Sequence, residues 1–295
     1  MTNLAWYIGV AGISAGVAAV TIYLKRNSYK VSTLLVFYLF ASSITWIGEF
    51  IVLGMFDSYT YKTGLFTDVW AQNLFAHLLL NTTMYPAAAV VMAACSLRYR
   101  WISLIAAIFV AIEYLFLKLG MYEQHWWRFY MSVIIVVTFS LISRRWFVKM
   151  IHDRSGSTRA TILYFVAMML IHTPAPVLLL MGKLHYQSGV IDGFFGSNLY
   201  RSSTVIIFVF HLCEAFILVA CTCILKIRYK RLLALLISPV AQIIFAKANV
   251  LIMDGGWKLS YTIIIYELFV VIFLLIEKYT LKLDNNFIPR KAGRF

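Results

Sequence analysis

The sequence predicts an all-α, polytopic membrane protein of about nine transmembrane helices, and three observations predict it. The 295-residue chain is 62% hydrophobic, has a mean hydropathy of +0.83 and is only 13% charged. A soluble domain carries about 45–50% apolar and about 25% charged residues, and here the excess runs through the whole length. Apolar runs of the length needed to cross a hydrocarbon core of about 30 Å recur with short polar connections between them. The basic residues cluster in alternate connections, as they do when every second loop stays on the cytoplasmic side.

The first run, 4–24, has no basic residue ahead of it. A secretory signal shows the opposite order, so this segment is expected to be a retained helix with its N-terminus outside. Gly12 and Gly16, with Gly9, Ala11, Ala15 and Ala19, give it a small-residue face suited to close helix packing. That face is expected to meet either its own bundle or a second copy in a homodimer. Further spans follow at 31–56, 70–96, 101–121, 128–148, 160–182, 203–226, 231–253 and 260–281, and then a basic cytoplasmic tail at 282–295. Pro86, Pro174, Pro176 and Pro239 fall inside spans and are expected to kink them. The most disturbed stretch is His172-Thr173-Pro174-Ala175-Pro176. With alternating loops, nineteen of the 26 lysines and arginines fall inside. Lys62, Lys118, Arg128, Lys183, Arg201 and Lys258 fall outside, and Lys247 lies within a span.

Residues 1–30 stand apart from two stretches of four helices each, 31–148 and 160–281, which read as a duplication. Arg98-Tyr99-Arg100 and Arg228-Tyr229-Lys230 open corresponding helices, and Trp126 and Trp257 follow in corresponding loops. His77 and His211 occupy corresponding helices. Four helices is an even number, so the two units would run parallel and not inverted.

The net charge of +14 does not imply nucleic-acid binding, because the charge sits in loops joining helices. Cys95, Cys213, Cys221 and Cys223 all fall within spans, which argues against a disulfide framework. Seven tryptophans near span ends form an interfacial belt. No nucleotide, dinucleotide, zincin or nucleophile-elbow motif is present, and no cofactor is expected. His211 and Glu214, three residues apart, are too few ligands to predict a metal.

The functional lead is ionisable residues inside apolar spans. Glu49, Glu113, Glu214, Glu267 and Lys247 lie there, beside His77, His172, His211 and Asn81. Five such charges left unpaired would cost on the order of 12–18 kcal/mol on the insertion scale, so they must pair, neutralise or meet water. Counting residues from the span ends places them near the midplane and in the outer half. They are therefore expected to line one hydrated cavity, with Lys247 reaching Glu267. The competing expectation is that buried Glu–His and Glu–Lys pairs hold the bundle together.

Between Leu78 and Arg145 the chain reads LLLNTTMYPAAAV, AIEYLFLKLG and QHWWRFYMSVI. These segments resemble an uncharacterised family of small integral membrane proteins of spore-forming Firmicutes. Asn81, Tyr85, Pro86, Glu113, Tyr114, Trp126 and Trp127 are the matching residues. The resemblance covers about a quarter of the chain and implies a bacterial plasma membrane. The second half departs from the pattern: Gln242 stands where an acid is expected, and the Tyr-Pro pair is missing. The leading functional expectation is a carrier of a small solute or protons. The alternatives are a membrane-embedded enzyme acting on a lipid or isoprenoid, and a non-catalytic sensor or assembly subunit.

Overall fold

The computed structural model describes residues 3–153, 155–196, 198–225 and 229–280. The tail at 282–295, with Lys282, Arg290, Lys291 and Arg294, lies outside them, as do Arg154, Lys226 and Arg228. The architecture is all-α and polytopic. Helix α1 spans Asn3–Lys25, and α2 spans Val31–Glu49 and continues as a π-helical turn, Phe50–Met55. Strand β1 is Tyr59–Tyr61; α3 is Val69–Ala94 and α4 is Tyr99–Lys118. Strand β2 is Tyr122–Gln124, and α5 is Phe129–His152. Helix α6, Gly156–His172, breaks before α7, Pro174–Leu180; β3 is Leu184–Tyr186 and α8 is Gly189–Phe195. Helix α9 is Leu199–Val219 with a second π-helical turn, Ala220–Ile224; α10 is Lys230–Lys247, β4 is Leu251–Met253 and α11 is Leu259–Tyr279.

Eight helical segments among the described residues are long and apolar enough to cross a membrane. The expected span 231–253, the eighth in order, is shorter than its apolar run implies. Helix α10 stops at Lys247, because Asn249 takes a positive φ of 54° and Leu251–Met253 becomes a strand. Lys247 is therefore an exposed residue in a last helical turn and not a midspan charge. Isoleucine, leucine and valine side chains stand exposed along the helix surfaces, as in Ile13, Leu104, Ile134, Phe216, Ile264 and Leu268. Such surfaces suit hydrocarbon solvent, where apolar groups need no covering.

Two antiparallel hairpin-like pairs, β1 with β2 and β3 with β4, cap one end of the bundle. Asn3 joins them there by donating to the Lys62 carbonyl at 2.9 Å. Lys25, Lys30, Arg98, Arg100, Arg145, Lys149, Lys230 and Lys278 lie at the helix ends away from the hairpins. Between these ends Glu277, 5% exposed, accepts from Arg159 at 2.9 Å and Arg231 at 3.3 Å. That clamp joins α6, α10 and α11.

The stretches 31–152 and 156–279 run through the same order: helix, strand, helix, helix, strand, helix, with α8 as an insertion in the second. Their local bonds also correspond. The Tyr61 amide donates to Asn73 Oδ1 and the Tyr186 amide to Ser203 Oγ. Trp127 Nε1 donates to Ser132 Oγ at 2.8 Å, and Trp257 Nε1 to Thr262 Oγ1 at 3.0 Å. Asp68 caps α3 and Asn198 caps α9, and the Asn198 amide donates to Asp68 Oδ2 at 2.8 Å. The main core runs between α2 and α6, with Phe37, Phe40, Val166 and Ala167 fully enclosed.

Helix α1 leans on α3 through Tyr7, Ala11 and Ala18. The Tyr7 hydroxyl donates to the Met121 carbonyl at 2.6 Å. Gly12 and Gly16 face away from the bundle; a Cβ at either would meet nothing within 4 Å. Of the small-residue face only Ala11 packs within the chain, while Gly9, Gly12, Ala15, Gly16 and Ala19 are exposed.

Candidate functional site

A cavity of about 390 Å³ opens between α2, α3, α4 and α5 below the first hairpin. Its size falls in the range of small-molecule sites, about 300–1,000 Å³. Two carboxylic acids face it from different helices: Glu49 at the end of α2 and Glu113 five residues before the end of α4. The hairpin supplies phenols above them, Tyr59 and Tyr61 from β1 and Tyr122 from β2, while α3 supplies Asn81 and Tyr85. Phe109, Phe116, Trp127 and Phe139 add aromatic wall, and the remainder is mostly aliphatic with the hydroxyls of Thr45, Ser132 and Thr138.

Each acid has a named donor. The Tyr61 hydroxyl donates to Glu49 Oε1 at 3.2 Å, and the Gln124 amide to Glu113 Oε1 at 2.9 Å. Tyr59 and Asn81 also face Glu49, and the two carboxyls lie within electrostatic reach of each other. Among the described residues, no lysine, arginine or histidine lines this cavity. Burial, reinforced by the neighbouring Glu49 carboxylate, pushes the Tyr59 and Tyr61 hydroxyls well above the ordinary phenol range. Burial does the same to Tyr122, with Glu113 adding to it. These phenols remain neutral donors over the range in which a carboxyl changes charge.

Local structure explains the aim of Glu49. The acid ends regular α-helix, and the wider π-helical turn begins at the next residue. Phe50 turns inward and stacks on Phe208, with centroids 3.8 Å apart and planes 8° from parallel. Its ring also explains Gly54, where a Cβ would sit 3.0 Å from the ring edge. With Phe50 drawn toward α9, Glu49 lies on the cavity side. Such wide turns are frequent at functional positions in helices.

A second void of about 30 Å³ lies on the other flank of Glu49, lined by His77, His172, Asn73 and Thr204. Asn81 Nδ2 is 3.0 Å from His77 Nδ1, and His172 Nδ1 is 3.1 Å from His211 Nδ1. Trp46 lies between the two imidazoles, 4.4 Å from His77 and 4.8 Å from His172 between ring centroids. His211 Nε2 is 4.0 Å from Glu214 Oε2. His211 Nε2 and both Glu214 oxygens are buried without a hydrogen-bond partner. The nine residues singled out by sequence thus divide. Glu49, Asn81 and Glu113 line the large cavity. Glu49, His77 and His172 surround the small void, and His211 and Glu214 continue from it into the second half.

Glu267 lies near Glu214, with Oε1 buried and unpartnered. Lys247 stands apart. It is exposed at the end of α10, and the described residues show no ion pair between it and Glu267. The displaced helix end accounts for this.

In the second half, Gln242 stands five residues before the helix-ending Lys247, as Glu113 stands before Lys118. The space beside it is filled. The Tyr186 hydroxyl donates to Gln242 Oε1 at 3.3 Å and lies 3.5 Å from the Tyr266 hydroxyl; all three residues are fully buried. The cavity-forming combination of two acids and a tyrosine-rich hairpin therefore belongs to the first half. Comparison with protein-family models, curated proteins and solved structures gives no match. Sequence reasoning missed Tyr59, Tyr61, Tyr122 and Gln124. The signal that could have found them is the short alternation Tyr59-Thr60-Tyr61, a strand pattern in a loop between spans.

Proposed function

We propose that this multi-pass membrane protein is a carrier that exchanges a small solute against protons at the Glu49–Glu113 cavity. The observation that supports this reading is a small-molecule-sized cavity with two acids on separate helices and no fixed cation beside them. Two carboxylates in an apolar chamber are costly to leave charged and unpaired. A bound solute that pairs with a carboxylate there competes with the proton for the same group. Discontinuous helices border the site: the π-helical turn begins beside Glu49, and α6 breaks after His172. Transporters place discontinuous helices at their midplane sites.

The groups facing the two acids fit a proton exchange. Glu49 meets Tyr59 and Tyr61 from β1, Asn81, Tyr85 and His77 from α3, and His172 from α6. Glu113 meets Tyr122 and Gln124 from β2, and α5 contributes the Ser132 and Thr138 hydroxyls, the Phe139 ring and two isoleucines. Glu214 and the His211–His172 pair offer a continuation for protons into the second half. The wall hydroxyls Thr45 and Ser132 are bonded to the Asn81 carbonyl and the Trp127 indole, which favours binding over nucleophilic chemistry. The matching bonds in 31–152 and 156–279 support a parallel duplication in which one unit kept the cavity. The charge bias supports a reading in which the hairpin end faces outward from a bacterial plasma membrane.

The test is proton flux in proteoliposomes loaded with a pH-reporting dye. A transported solute is expected to drive proton movement in the wild type and none with Glu49→Gln and Glu113→Gln together. A solute carried equally by the double variant, or bound without any proton movement, overturns the reading.

A further inference from the structure

Resting on that carrier reading, we infer that the cavity takes a lipophilic organic cation, and that this cation enters sideways from the bilayer. Charge comes first. The lining carries two acids and no basic group, so the chamber complements positive charge and disfavours an anion. Three hairpin phenols and Tyr85 ring the acids, with Trp127 and Phe116 beyond them. Aromatic faces attract a desolvated cation through the ring quadrupole. The rest of the wall is mostly aliphatic and aromatic, and its polar groups Thr45, Ser132 and Asn81 are already bonded within the protein. A bulky ammonium or phosphonium with apolar substituents satisfies every part of this lining.

The route follows from exposure. Lining residues of α2 and α5 lie half open on the outside of the bundle: Ile51 is 44%, Ile135 42% and Ile142 39% exposed. Gly48 and Thr138 are exposed between them. All five lie within helical segments long and apolar enough to span the membrane. The opening between α2 and α5 therefore meets hydrocarbon, and a hydrated ion would have to shed its water to use it. A cation with delocalised or shielded charge has already paid most of that cost by partitioning.

The exchange balances in charge. A cation that pairs with a carboxylate competes with the proton for that group, and a proton displaced from a carboxyl leaves to water. Binding therefore weakens as pH falls.

The test uses full-length protein in lipid nanodiscs with radiolabelled tetraphenylphosphonium, and with tetraphenylborate as an anion of the same shape. Saturable phosphonium binding is expected, weaker by about tenfold or more at pH about 5.5 than at pH about 8. Glu49→Gln with Glu113→Gln is expected to weaken it by about tenfold or more, while the helical spectrum is unchanged. Thr138→Trp at the opening is expected to slow association with less effect on the equilibrium. No saturable binding by folded wild type, equal binding of tetraphenylborate, or unchanged binding by the double variant overturns the inference. Phonium binding without solute-driven proton flux refutes the carrier and leaves the ligand class standing. Glu49-dependent transport of a neutral or anionic solute, without phosphonium binding, does the reverse.

Discussion

Removing the Glu277 carboxylate is expected to loosen the end of the bundle opposite the hairpins. Glu277 is almost fully buried and accepts from two guanidinium groups, Arg159 at 2.9 Å and Arg231 at 3.3 Å; Arg159 also donates to its backbone carbonyl. Hydrogen bonds to charged groups contribute about 1.5–3 kcal/mol each when shielded. The arginine side chains are 34% and 48% exposed, so water screens part of that attraction. A combined loss of about 2–3 kcal/mol follows for Glu277→Ala. At about 2–4 °C per kcal/mol for a chain of this order, the thermal midpoint in detergent should fall by about 4–12 °C. The assay is intrinsic-fluorescence unfolding, with Arg231→Ala and the double variant completing a cycle. A Glu277→Ala midpoint within about 1 °C of wild type would refute the clamp, because no group of that burial and partnering should be silent.

Glu214→Met removes a buried carboxyl whose oxygens have no partner. It is expected to raise the midpoint by an amount corresponding to about 1–3 kcal/mol; a clear fall would show that the acid is satisfied by something it holds. Tyr59, Tyr61 and Tyr122 have raised folded-state values, so their contribution to stability is present below the ordinary phenol value of about 10 and is lost as pH rises above it. Absorbance near 295 nm should therefore reach full ionisation of the 18 tyrosines only as helical dichroism collapses; complete ionisation in a helical protein would contradict their burial. Gly12→Leu should leave the midpoint of the monomeric protein unchanged, since a side chain there meets open space, and a large loss would place α1 in a tighter packing than the one described.

The spans were legible because membrane crossing imposes length and composition on contiguous residues. Glu49, Asn81 and Glu113 were legible because an acid or amide inside such a run has few innocent explanations. Lys247 was misplaced for a related reason. The apolar residues Val250–Met253 continue the hydropathy of α10, but their backbone leaves the helix and pairs with β3. Hydropathy does not distinguish these states over three or four residues. The same blindness hid the hairpin phenols, which belong to strands too short for a periodic signal. Glu277 was passed over because it lies in the last turns of α11 among cations, where an acid looks solvated; its arginines come from positions 118 and 46 residues away.

The gap bordered by Ile51, Ile135 and Ile142 also governs how affinity must be measured. A guest arriving through it samples the amphiphile phase as its reservoir, and its chemical potential there depends on how much detergent or lipid is in the tube. Titrations at different micelle concentrations will return different apparent constants for one unchanged site, and they will agree only when occupancy is plotted against moles of guest per mole of amphiphile.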